Sequence, residues 1–242
     1  MHKQTRILKI LIYLLILVTF VLVGYLKLSL TGHATKETEK VNITRAIDGD
    51  TLVLEDKREV RLLGINTPEK KMLYYEEARD FLKELEGKQI EIEALGENKD
   101  KYGRYLRYVS YQNKLINEEI LKQGLGNLYV YNEDKYTEKL KKAEKEARVN
   151  ELGIWKHSVN YRCIELIELK YQETERCKNQ EQLILNNKCQ IINITIKDNA
   201  NKIVKIKLER GIFTKNFSCV FNDAGDSLYV WDNEGMLLFW RY

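Results

Sequence analysis

Between Lys9 and Lys27 the chain carries no charge and Ile10–Leu26 is almost wholly apolar, whereas from Val41 onward apolar residues fall in short runs separated by turn residues. The first segment, 17 residues long, has the length and the flanking lysines of a membrane-spanning helix, because lysine stems can snorkel to the interface. Lys3, Arg6 and Lys9 precede it without an acidic residue. That bias predicts a cytoplasmic N-terminus, attachment to the membrane through residues 7–30, and export of everything after Leu30. The alternative is a cleaved signal peptide, since Gly32-His33-Ala34 offers small residues at a suitable distance from the apolar run.

After a polar linker over residues 35–40, Val41–Ile43, Leu52–Leu54 and Val60–Leu62 alternate as half-buried strands do, with Glu55-Asp56-Lys57-Arg58 as a charged hairpin tip. From Tyr74 to Leu85 the spacing of Ala78, Phe81, Leu82 and Leu85 is helical, and Gly87 stops it. Period two returns at Ile90–Ala94 and Tyr105–Val109. Two helices follow, one from Asn117, as its cap, to Lys122 with Gly124 as its stop, the other highly charged from about Asp134 to Val149. Three strands, a helix, two strands and two helices predict a five-stranded OB-type barrel with packed helices. Beyond His157, Ile164–Leu169, Leu183–Leu185, Ile192–Ile196, Val204–Leu208, Leu228–Trp231 and Met236–Phe239 predict an antiparallel β-sandwich. The fold class is therefore α+β followed by all-β: an anchor and linker over 1–40, a barrel over 41–157 and a sandwich over 158–242.

Composition changes this picture little. With 44% hydrophobic residues in 242 there is room for two modest cores. The net charge of +4, from 40 basic against 36 acidic residues, favours an anionic partner only weakly. The run Lys135–Arg148 has many charges of both signs and reads as a solvated helix face. All four cysteines, Cys163, Cys177, Cys189 and Cys219, lie in the exported tail, where disulfides persist. Three pairings are open, and the lack of any Cys-x-x-Cys spacing argues against zinc.

The candidate chemistry lies between residues 48 and 104. Asp48-Gly49-Asp50-Thr51, Arg61-Leu62-Leu63-Gly64-Ile65-Asn66-Thr67-Pro68-Glu69 and Asp100-Lys101-Tyr102-Gly103-Arg104 follow one another there. Asp-Gly-Asp alone is a common turn. In conjunction the segments supply what metal-assisted phosphodiester cleavage needs. Oxygen ligands for a hard cation are available in Asp50, Asn66, Thr67 and Glu69. Arg61 and Arg104 offer planar forks suited to a phosphate.

These motifs, with Glu77-Ala78, Asn117-Glu118, Gln123-Gly124-Leu125, Tyr129-Val130-Tyr131 and Gly153-Ile154-Trp155, resemble the staphylococcal nuclease (thermonuclease) family from about Val41 to Lys156. The resemblance implies catalytic roles for Arg61, Glu69 and Arg104. It also implies Ca²⁺ ligation by Asp50, Asn66 and the Thr67 carbonyl, and a nucleotide pocket made by Lys101, Tyr102, Tyr129 and Tyr131. The implied reaction cleaves DNA and RNA, single-stranded or duplex, at the 5′ P–O bond and leaves 3′-phosphates. Asn66 departs from the pattern, because the best-known member has an aspartate there, and Lys70-Lys71-Met72-Leu73 is shorter than that member's basic loop. The Asn222–Asp232 turn and strand pattern with Gly235 resembles a lamin-tail-type module, which implies an accessory role. Two other functions fit the chain: a non-catalytic nucleic-acid-binding barrel, and an envelope structural protein acting through the sandwich. The sequence identifies no protein partner.

Overall fold

The computed structural model describes residues 14–22, 38–96, 98–171, 181–190, 192–200, 202–218, 220–221 and 226–241. Residues 14–22 are helical and exposed. The rest of the expected membrane segment lies outside the described residues, and none of the described helices is long and apolar enough to cross a membrane.

Residues 39–242 form one compact unit. Its first part is built on β1 (Thr38–Ala46), β2 (Thr51–Leu54), β3 (Glu59–Leu62), β4 (Gly64–Asn66), β5 (Gln89–Glu93), β6 (Tyr105–Tyr111), β7 (Lys114–Leu115) and β8 (Asn127–Tyr129). The order β3-β2-β1-β5-β6-β7 is closed by a parallel β3–β6 pairing, which places Arg61 opposite Leu106. A closed five-stranded barrel results, with β7 as an appendage. Period-two alternation sends Ile43, Leu52, Leu54, Val60, Leu62, Ile90, Ile92 and Val109 inward. Helices α1 (Tyr75–Lys83), α2 (Ile116–Lys122) and α3 (Thr137–Val149) add Leu82, Ile120 and Leu140 to that core. The antiparallel β4–β8 ribbon was not legible in the sequence, since three-residue strands show no period.

Two helix expectations need correction. Asn117 does not cap α2: it lies inside the helix, fully buried, accepts a hydrogen bond from Val109 N at 2.9 Å and donates to Leu63 O at 2.8 Å. It therefore cross-links two barrel segments. α3 starts at Thr137, because Asp134 holds the preceding turn through Tyr136 N and Thr137 Oγ1. Nor is α3 a wholly solvated face, since Glu144 is 2% exposed.

The second part has two antiparallel sheets. One runs β13-β10-β9, from β9 (Ile164–Lys170), β10 (Glu181–Asn187) and β13 (Gly211–Phe217). The other runs β12-β11-β14-β15, from β11 (Ile192–Lys197), β12 (Ile203–Leu208), β14 (Ser227–Trp231) and β15 (Met236–Arg241). Leu183, Leu185 and Phe217 of the first sheet share a core with Ile194, Ile196, Leu228 and Val230 of the second. β13 gives little sequence signal because it is a half-exposed edge strand, with Ile212 facing solvent. A disulfide joins Cys163 to Cys189; Cys177 and Cys219 lie outside the described residues.

Barrel and sheets are locked together. Ala147, Ile154 and Trp155 pack with Tyr229, Trp231 and Met236 in a third apolar cluster. Trp231 Nε1 donates to Ile154 O at 3.0 Å, and Arg241 grips Glu144 with Nη1 at 2.6 Å and Nη2 at 3.0 Å. Glu144 also accepts from Leu128 N at 2.8 Å, so its buried carboxylate spends its oxygens on both parts. Arg241→Ala strands that charge, and unfolding in urea should show a loss of about 3 kcal/mol. Lys142→Ala, which removes an exposed pair with Glu146, should cost less than about 0.5 kcal/mol.

Candidate active site

The β1–β2 turn carries Asp48, Gly49 and Asp50. Asp48 Oδ1 accepts from Asp50 N at 3.1 Å, the local bond that favours aspartate in such turns. Gly49 is required by packing rather than by its backbone angle, for a Cβ there would sit 2.6 Å from Ala78 Cβ and 2.7 Å from Thr67 Oγ1. The turn is thereby pressed against α1 and the segment after β4. Asp50 is buried, so its carboxylate must be satisfied by protein groups. Oδ2 accepts from Thr67 N at 2.9 Å and Thr67 Oγ1 at 3.0 Å and faces Arg61 Nη2 at 3.1 Å. Oδ1 accepts from Thr51 Oγ1 at 3.2 Å.

Arg61 arrives from β3, whose register sets it across from Thr51. Its Nη2 also donates to Asn66 Oδ1 at 2.9 Å, and Nη1 donates to Leu62 O at 2.8 Å. Arg104 enters at the head of β6. Its Nε donates to Asp100 Oδ2 at 2.8 Å and its Nη1 to Thr51 Oγ1 at 3.2 Å. Both guanidiniums thus reach the same carboxylate, Arg61 directly and Arg104 through the Thr51 hydroxyl. Thr51 went unassigned in the sequence, where its place beside Asp50 was the one available sign. Glu69 follows the buried Thr67 and Pro68 and is itself exposed.

Asn66 has a second contact that no local pattern could show. Its Nδ2 donates to Asn199 O of the sandwich at 3.0 Å. An aspartate has no proton to give to that carbonyl, which supplies a physical reason for an amide at this position.

The predicted tyrosines divide. Tyr102 is exposed, with the charges of Lys101 and Arg104 5.0 and 5.6 Å from its ring centre. Tyr131 is 90% exposed. Tyr129 is half-buried on β8 opposite Gly64; burial pushes its hydroxyl pKa up while Arg61 draws it down, so it borders Arg61. The structure places Tyr102 beside Arg104 and Tyr129 near Arg61, and among the described residues no ring contact joins the two groups.

Electrostatically the turn is crowded. Burial, then the charge of Asp50, raises Asp48 to about 6. Two neighbouring carboxylates and an amide oxygen form a donor set suited to a hard cation. Asp50 Oδ2 and Asn66 Oδ1 already converge on one cationic nitrogen of Arg61. The described residues contain no cluster of three His, Cys, Asp or Glu side chains that could hold a metal. Any ion here would therefore also need the Asn66 amide and backbone oxygen.

The family model for "Staphylococcal nuclease homologue" matches residues 59–157. Endonuclease YncB of Bacillus subtilis is 40% identical over 144 residues, 53% of this chain and 68% of that protein. A thermonuclease of Staphylococcus hyicus is 33% identical over 135 residues, 51% of this chain and 79% of the relative. A thermonuclease of Staphylococcus intermedius is 36% identical over 129 residues, 48% of this chain and 76% of the relative.

The raised pKa of Asp48 has a thermal consequence. Between its ordinary 3.8 and about 6 the folded state binds more protons here than the unfolded chain, so metal-free stability falls as pH rises through that window. Asp48→Asn keeps the oxygen that Asp50 N uses and removes the titration. Melting temperatures in chelator should then decline less over that window and be higher than wild type at neutral pH; parallel profiles would remove Asp48 as the cause.

Proposed function

The chain belongs to the staphylococcal nuclease family, and from that premise we propose that it is a Ca²⁺-dependent phosphodiesterase that cleaves DNA and RNA outside the cytoplasmic membrane. The observation that carries the reading is one buried carboxylate, Asp50, gripped by Arg61 and linked through Thr51 to Arg104, with Asn66 and Thr67 on the same wall. The donor chemistry fits Ca²⁺ held by Asp50, Asn66 Oδ1 and the Thr67 carbonyl. When bound, such an ion supplies Lewis-acid polarisation of a phosphoryl oxygen.

The chain's own groups do the rest. Arg61 and Arg104 present forks to the phosphate and neutralise the charge that builds as phosphorus becomes five-coordinate. Asp100 orients Arg104 through a charge-assisted bond. Glu69 takes the proton of the attacking water, for which its solvent-facing position is suitable. Lys101, Tyr102, Tyr129 and Tyr131 receive the nucleotide, with exposed rings available for stacking. The barrel over 41–157 is the enzyme and the lamin-tail-like sandwich over 158–242 its accessory. Export is supported by the uncharged Ile10–Leu26 run behind a basic N-terminus and by the Cys163–Cys189 disulfide, which persists in oxidising compartments.

Cleavage of single-stranded DNA should require Ca²⁺ and stop in chelator. Arg61→Lys, Arg104→Lys and Glu69→Gln should each lower kcat/KM by about two orders of magnitude or more while folding persists, since lysine cannot reproduce the fork. Full activity in Arg104→Lys would exclude its role. Protease added to intact cells should degrade the barrel, and complete protection would place it inside.

A further inference from the structure

A cavity of about 370 Å³ opens where the barrel meets the second sheet, immediately beyond the Thr67-Pro68-Glu69 segment. The barrel side contributes Pro68, Lys71 and Met72, and the sandwich contributes Lys197, Lys205 and Trp231. The volume lies at the low end of ligand pockets, about 300–1,000 Å³, which suits one nucleotide and excludes a duplex.

Its charge needs explanation. Lys71 and Lys205 are exposed, and neither forms an ion pair with a described residue. Elsewhere Lys122, Lys139, Lys141 and Lys188 each hold a carboxylate. Lys197 is wholly buried, yet its ammonium donates only to neutral oxygens, Asn127 Oδ1 at 3.1 Å and Asp198 O at 2.9 Å, and lies over the Tyr229 ring. Burial pushes it down to about 8, against the charges of Asp198, Asp226, Glu69 and Asp50, so at neutral pH it keeps most of its proton. A buried ammonium without an ion-paired carboxylate is costly, and apolar side chains would fill the space at less cost. The one carboxylate on the wall, Asp232, is already occupied by Ser158 Oγ, Asn160 Nδ2 and the amides of Glu234 and Gly235. Its wall thus carries three lysines against one aspartate, with an apolar lining from Pro68, Met72 and Trp231.

Resting on the nuclease reading above, we infer that this cavity is a second nucleotide subsite, in which the sandwich holds a nucleotide of the single strand whose scissile phosphate lies at Arg61 and Arg104. Lys71 and Lys205 contact its phosphate, Lys197 adds its charge from behind the wall, and the apolar lining takes sugar and base. The hydrogen bond from Asn66 to Asn199 is one of the contacts that hold the sandwich against the wall beside this cavity.

The test measures binding of a short, 5′-labelled single-stranded oligonucleotide to the full chain in chelator, by fluorescence anisotropy across a salt series. Lys71→Ala/Lys205→Ala should weaken affinity about tenfold and flatten the plot of log affinity against log salt by about 1.4, the contribution of two phosphate contacts to a single strand. Lys114→Ala/Lys145→Ala, which removes two exposed charges elsewhere, should change affinity less than about twofold and leave the slope alone. Equal losses in the two double variants, or no loss in the first, would overturn the subsite. Binding that depends on Lys71 and Lys205 without cleavage in Ca²⁺ would sustain the subsite and overturn the nuclease reading, whereas a wild-type chain that neither binds the oligonucleotide in chelator nor cleaves it in Ca²⁺ would overturn both.

Discussion

Asp50 carries a carboxylate in the interior, and much of the site is arranged by the need to satisfy it. An unpaired buried charge is prohibitively costly, so Thr67 N, Thr67 Oγ1, Thr51 Oγ1 and Arg61 converge on it from three separate segments. That single group therefore ties the β1–β2 turn to β3 and to the loop that leads to Glu69. Gly49 allows the approach by leaving space for Ala78 and Thr67.

The same constraint spreads outward. Arg61, held by Asp50, holds Asn66, and Asn66 reaches across to the Asn199 carbonyl. Thr51 passes the connection to Arg104, which Asp100 steadies from its other side. A chain of charge-assisted and neutral hydrogen bonds thus runs from the Tyr-Gly turn before β6 to the edge of the sandwich. Networks of this kind are rigid when every member is partnered, and the proposed reaction would use that rigidity, because preorganised charges need not reorganise.

The sandwich is fastened at several independent points. The Trp155–Tyr229–Trp231 cluster supplies apolar burial, Glu144 and Arg241 a largely buried ion pair, and Lys197 and Asn127 a polar contact. These contacts make the sandwich part of the wall that flanks the site rather than a freely tethered appendage.

Local pattern determined a good deal. The barrel strands, α1 and six of the seven sandwich strands were legible because each buries one face and repeats with its own period. The motif residues Asp50, Arg61, Asn66, Thr67 and Arg104 were legible as a set through their residue types and their order, and the structure does bring those five together. What tertiary structure alone decided has a common cause: it depends on partners far away in the chain. Asn117 looked like a cap because only its neighbours were visible, yet its partners are Val109 and Leu63. Glu144 looked solvated because Arg241, 97 residues on, was out of view. The choice of Cys163 with Cys189, the bridging hydroxyl of Thr51, the amide requirement at Asn66 and the buried Lys197 likewise follow from long-range packing, which no period in the sequence encodes.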